Sequence, residues 1–202
     1  MKKLDNKNTQ IAIKTVKDFF QINLAKALNL TRVSAPLFVE PSSGLNDNLT
    51  GVERPVAFDL GDSKIDVEIV QSLAKWKRIA LKNYAIPDGE GIYTDMNAIR
   101  PCETLDNIHS VYVDQWDWEK IITKEQRTLA YLEETVKKIY QVFLATEAVI
   151  TLEYSLLTPF LPKEITFITS QELEHRYPSL SPNEREQRFA KEKGAIFIMQ
   201  IG

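Results

Sequence analysis

A chain of 202 residues is long enough for one large domain or two small ones, with a real hydrophobic core. A net charge of −3, with 26% charged and 44% hydrophobic residues, is ordinary for a soluble protein and offers no basic field to nucleic acid or an anionic membrane. The single cysteine, Cys102, excludes an internal disulfide and fits a reducing cytoplasm, and two distant histidines, His109 and His175, make no zinc motif.

The opening "MKKLDNKNTQ" has lysines but no apolar stretch behind them, so it does not read as a secretory signal. No apolar run approaches the ~18 residues that a membrane-spanning helix needs. Ile13, Val16, Phe20, Leu24 and Leu28 recur at helical spacing and predict a helix over Asn8–Leu28. "RVSAPLFV" follows as an extended segment bent at Pro36. "RPVAFDL" and "KIDVEIV" alternate around "GDS" and predict a β-hairpin, and "SLAKWKRIALKN" predicts a short helix. "GIYTDMNAIR" and "HSVYVDQWDWEK" predict two strands joined by a long connection, "PCETLDNI", with "GEG" opening the first of them.

A long amphipathic helix is predicted from Thr123, where Thr123 and Gln126 have capping-box spacing. Its apolar stripe is Leu129, Leu132, Val136, Ile139, Tyr140 and Phe143. "ITFITS" predicts a strand, followed by a short helix capped by Thr169 and Glu172. Ser181, Pro182, Glu184 and Gly194 bracket a further helix, and "AIFIMQIG" reads as a buried strand that either pairs with strands earlier in the chain or needs a neighbour that this sequence does not contain.

Four stretches carry candidate chemistry. As a strand, "HSVYVDQWDWEK" places Val111, Val113, Gln115, Asp117 and Glu119 on one face and Tyr112, Asp114, Trp116 and Trp118 on the other. The tryptophan face reads as packing; Gln115 with Asp117 suits an ammonium and a polar side chain, or else a solvent-facing sheet. Arg100 with Glu103 ends the preceding strand; a guanidinium there suits a phosphate, or else an acid on the surface. In "QSLAKWKR", Lys75 and Arg78 lie one turn apart while Lys77 projects elsewhere, suiting a carboxylate or a solvated basic face. Asp47, in the turn-rich "SSGLNDNLTG", suits an ammonium or a turn. No P-loop or dinucleotide fingerprint is present, and Cys102 lacks an activating neighbour in sequence.

Taken in order, "DNLTG", "SLAKWKR", "GEGIYT", "IRP", "HSVYVDQWDWE", "ATEA", "PFLP", "SQEL" and "RYP" resemble the ammonia-dependent asparagine synthetases, the aspartate–ammonia ligases. The resemblance covers essentially the whole chain. It implies an α+β fold, an antiparallel sheet flanked by helices as in the catalytic domain of class II aminoacyl-tRNA synthetases, here one domain over 1–202 that is incomplete at its C-terminus. It implies a homodimer built through Asn8–Leu28 and the Pro36 strand, in the cytoplasm, without nucleic acid or membrane. The implied substrates are L-aspartate, ATP and ammonia, with Mg2+ bridging the phosphates, by way of a β-aspartyl-adenylate. By the same resemblance Arg100 contacts the α-phosphate as the catalytic residue, Glu103 and Val111 belong to the nucleotide side, and Asp47, Lys77, Gln115 and Asp117 hold aspartate. No metal ligand is implied within this stretch.

The chain also departs from that family's pattern. Asn46 stands where glutamine is usual, Gln71 where histidine is usual, Cys102 in a usually acidic segment and Gln200 where glycine is usual. The family continues beyond "GAIFIMQIG" with acidic residues for magnesium and a glycine-rich motif ending in an arginine. Without them a rate loss of at least ~10²–10³ is expected. The alternative to a ligase is therefore a non-catalytic relative that binds an amino acid or a full-length partner subunit. Net charge, and the lack of any stretch resembling an anticodon-binding module, disfavour a tRNA-charging enzyme.

Overall fold

Apolar spacing near the N-terminus becomes α1 (Asn6–Leu28) in the computed structural model, which describes residues 3–47, 49–106 and 109–201. Asp5 opens this helix: its carboxylate accepts from the Asn8 backbone N–H at 2.8 Å. Asn48, Asn107 and Ile108, within the "DNLTG" loop and the "PCETLDNI" connection, lie outside the described residues, as does Gly202. The chain divides into two compact units, Leu28–Lys124 and a second made of Met1–Ala27 with Glu125–Gly202.

The Leu28–Lys124 unit contains β1 (Leu30–Arg32), β2 (Phe38–Val39), β3 (Ala57–Asp59), β4 (Asp66–Ile69), α2 (Ala74–Asn83), β5 (Gly91–Ile99) and β6 (Tyr112–Lys120). One sheet has the order β1-β5-β6, the other β2-β4-β3. β5 and β6 pair antiparallel from Gly91↔Lys120 to Ile99↔Tyr112, whereas β1 joins β5 in parallel. The extended segment expected around Pro36 is split between the two sheets. Pro36 lacks an N–H for the ladder, and the chain leaves one sheet at Arg32 and enters the other at Phe38. The expected hairpin is β3–β4, closed by a 3-10 turn at Gly61–Ser63.

Gly91 shows why this strand begins with glycine. A Cβ there would lie 2.3 Å from the Glu119 carbonyl oxygen and 2.7 Å from Leu30 Cδ2, so only a bare backbone lets three strands close together. Along β5, Ile92, Thr94, Met96 and Ala98 are buried and alternate with the more exposed Tyr93, Asp95, Asn97 and Ile99, the period-2 pattern of a one-sided core. Val39, Val70 and Leu73 pack with Met96 and Ala98; Ala80 and Leu81 of α2 pack with Ile92.

The second unit adds α3 (Leu129–Glu153), β7 (Thr166–Thr169), α4 (Ser170–Arg176), α5 (Pro182–Lys193) and β8 (Ile196–Met199) to most of α1. The helix expected from Thr123 starts at Leu129 instead. Thr128, not Thr123, is its N-cap, and its hydroxyl accepts from the Tyr131 N–H at 3.2 Å. The buried side of α3 is Val136, Tyr140, Val142 and Thr146, so Leu129, Leu132 and Phe143 of the expected stripe are exposed. Phe143 still meets Phe20 of α1, ring centroids 4.9 Å apart. Both capping boxes expected further on are formed, Thr169/Glu172 on α4 and Ser181/Glu184 on α5. β8 is half-buried rather than buried and pairs in parallel with the earlier β7. Ile168, Leu173 and Phe189 form the core there. Among the described residues no helix is long and apolar enough to cross a membrane.

Candidate active site

The residues singled out by chemistry lie in the Leu28–Lys124 unit, and Gln115, Asp117 and Glu119 share the face of β5–β6 that α2 covers. Register places Gln115 opposite Met96, Asp117 opposite Thr94 and Glu119 opposite Ile92. These carboxylates thus share a face with the buried side of β5. On α2, Lys77 takes a position in the same stripe as Ala80 and Leu81, and its side chain is 7% exposed, whereas Lys75 and Arg78 face solvent.

A buried ammonium needs partners to offset desolvation. Lys77 Nζ donates to Asp117 Oδ1 and, at 3.0 Å, to the Trp118 carbonyl, with Glu119 Oε2 at 3.5 Å. Arg78 Nε stands 3.8 Å from the other oxygen of Glu119. Lys77 and Asp117, each read separately from the sequence, are therefore one ion pair. Gln115 is exposed, its amide 3.9 Å from Met96 Sδ.

A second group lies around the turn from β4 into α2. Arg100 follows β5 directly; its backbone N–H donates to the Val111 carbonyl at 2.8 Å, and Glu103 N–H donates back to the Arg100 carbonyl at 3.2 Å. The half-buried guanidinium aims Nε and Nη2 at the Gln71 carbonyl, at 3.4 and 3.3 Å. The Gln71 N–H donates to Asn46 Oδ1 at 2.9 Å, and Asn46 Nδ2 donates to Glu68 Oε2 at 3.2 Å. Lys75 Nζ reaches the Asn46 carbonyl at 3.4 Å and the Asp47 carboxylate at 4.0 Å. Asp47, Asn46, Gln71 and Arg100 are thus linked in sequence-distant steps, while Val111 and Cys102 stay exposed.

Sequence reasoning gave Asn46 and Gln71 no role of their own. Gln71 is fully buried, and neither Oε1 nor Nε2 of its side chain meets a hydrogen-bond partner among the described residues. The sequence signal is an amide that directly follows Ile69 and Val70 in "EIVQSL". The tryptophan face is less of a packing face than expected. Trp116 and Trp118 are half-buried and share it with Asp95, which pairs with Arg32 at 3.3 Å, and with Asn97, which accepts from Tyr112 Oη at 2.5 Å. Among the described residues no group of three or more His, Cys, Asp or Glu could hold a metal ion.

The fold is that of the class II synthetase catalytic domain. The asparaginyl-tRNA synthetase of Pyrococcus horikoshii complexed with asparaginyl-adenylate matches 93% of this chain and 44% of its own, with a TM-score of 0.65 at 14% identity. The Entamoeba histolytica asparaginyl-tRNA synthetase in complex with asparaginyl-adenylate matches 96% of this chain and 44% of its own, with a TM-score of 0.60 at 14% identity.

Within that fold the family is specific. The model of the aspartate–ammonia ligase family matches residues 7–202, and the chain belongs to that family. The aspartate–ammonia ligase of Fusobacterium nucleatum is 64% identical over 199 residues, covering 98% of this chain and 61% of the relative. That of Clostridium perfringens strain 13 is 61% identical over 200 residues, covering 98% and 60%. That of Bacillus cereus strain B4264 is 59% identical over 196 residues, covering 97% and 60%. The chain spans about 60% of the length of these relatives.

Proposed function

We propose that this chain supplies the amino-acid side of an ATP-dependent aspartate–ammonia ligase site. In the first step an oxygen of the aspartate side-chain carboxylate attacks the α-phosphorus of ATP, giving β-aspartyl-adenylate and pyrophosphate. In the second, ammonia adds to the activated carbonyl carbon, AMP leaves, and one proton is released as asparagine forms. The observation that carries this reading is the buried Lys77–Asp117 pair on the same β5–β6 strand pair whose end presents Arg100. Buried opposite charges on rigid elements suit a zwitterionic amino acid, because each can also bond the ligand's group of opposite sign.

In this reading Arg100 holds the α-phosphate and disperses charge on the transferring group, with Glu103 and Val111 on the nucleotide side. Lys77 meets a carboxylate of aspartate, while Asp47, Gln115 and Asp117 orient the ammonium end. Magnesium accompanies the nucleotide phosphates and offsets their charge. The working form is a cytoplasmic homodimer. The test is formation of AMP and asparagine from ATP, aspartate and ammonium by the purified protein. Product that needs all three substrates, and falls by about 10²-fold in Arg100→Ala, supports the reading. Equal product without aspartate, or from the Arg100→Ala protein, overturns it.

A further inference from the structure

Gln71 offers a donor and an acceptor that no described residue uses. Its side chain is fully buried, yet Oε1 and Nε2 both lack a partner among the described residues. Its backbone, by contrast, is fully engaged: the N–H bonds Asn46 Oδ1 at 2.9 Å and the carbonyl takes the Arg100 guanidinium at 3.3 and 3.4 Å. The residue is therefore held in place by its main chain while its buried amide has no hydrogen-bond partner among the described residues. Val70 and Leu73, on either side, are buried among Met96 and Ala98, which fixes the segment further.

A buried amide with both groups unmet is costly to the free protein, so it calls for a ligand that presents an acceptor and a donor together. We propose that Gln71 is a specificity-determining residue that reads the side-chain end of the amino acid as a carboxamide. Nε2 donates to the ligand's side-chain carbonyl oxygen, and Oε1 accepts from the nitrogen joined to that carbon. This rests on the ligase reading above. There Arg100 holds the α-phosphate, which is bonded to the reacting carboxyl, and Arg100 itself sits on the Gln71 carbonyl. The charged groups of the site match the charged α-carboxylate and ammonium, leaving the neutral amide for the neutral end of the product.

An aspartate carboxylate has only acceptors and satisfies Nε2 alone, whereas an asparagine carboxamide satisfies both atoms. The same two bonds strengthen as nitrogen adds to the carbonyl, so the contact favours amide formation over the ground state.

The experiment is isothermal titration of L-asparagine and of L-aspartate into the wild-type protein and into Gln71→Met, with thermal melting of both proteins without ligand. Methionine keeps the shape and removes both polar atoms. Asparagine binding is expected to weaken about tenfold and aspartate binding by less than about threefold. The ligand-free variant is expected to melt at the same temperature as wild type or higher, because an unmet buried amide is gone. Equal losses for the two amino acids, no loss for either, or a lower melting temperature in Gln71→Met overturns the inference while leaving the ligase reading intact. Wild-type protein that binds neither amino acid overturns both.

Discussion

Lys77 on α2 and Asp117 on β6 are bonded to each other, 40 residues apart in sequence, with side chains only 7% and 17% exposed. The pair ties the helix to the sheet and at the same time sets opposite charges side by side. A ligand that bonds both must compete with, or add to, a contact the protein already makes.

Removing one member leaves the other side's charge without its partner. Lys77→Met strands the Asp117 carboxylate, while Glu119 keeps Arg78, and is expected to cost about 3 kcal/mol in urea denaturation. The double variant Lys77→Met/Asp117→Leu is expected to regain part of that loss. Additive losses in the two variants would mean that the pair contributes nothing jointly.

Gly91, at the start of β5, and Gly89, in the turn before it, predict a contrast. Gly91→Ala drives a Cβ into the Glu119 backbone and is expected to cost about 2 kcal/mol or more. Gly89→Ala meets no atom within 4 Å and pays only for a left-handed φ of +83°, about 1 kcal/mol. Parallel denaturation of the two variants checks the order.

The same region shows what was legible in the sequence. Period-2 alternation and the "GEG" start located β5, and capping boxes located α4 and α5, because these signals act within a few residues. The start of α3 was misplaced because two threonines, Thr123 and Thr128, both precede the apolar stripe, and only tertiary packing decides which one caps. The candidate residues Lys77, Arg100 and Asp117 stand out by chemistry, but the Lys77–Asp117 pairing does not. Lys77 needs the fold to set α2 on β6, and Gln71 becomes notable only when burial removes water from its amide.

The caps on α4 and α5 carry a pH dependence. Bonds from the Thr169 backbone and hydroxyl hold the Glu172 carboxyl below the usual range, and the Ser181 hydroxyl and then its backbone do the same for Glu184. A lowered folded value means that this stabilisation is full above the unfolded carboxyl range and is lost as pH falls through the folded one. Protection of the amides in the first turns of α4 and α5, relative to the unfolded chain at the same pH, is expected to fall only in acid. Thr169→Ala is expected to cost about 1 kcal/mol at neutral pH.

His109 runs the opposite way. Its hydrogen bonds to Asp106 at 2.9 Å, and the charge of that carboxylate, raise the imidazole above its ordinary 6.5. The contribution is complete below that value and fades as pH rises through the raised one. An NMR titration is expected to place the midpoint above 6.5 in the wild type, and Asp106→Asn is expected to bring it back down.

The most direct test of the site is a calorimetric titration with a non-hydrolysable β-aspartyl-adenylate analogue, which reads binding without requiring turnover. Saturable binding that weakens at least tenfold in Arg100→Ala and in Lys77→Met is the predicted result. Binding that is absent from the folded wild-type protein, or unchanged in both variants, would contradict the account.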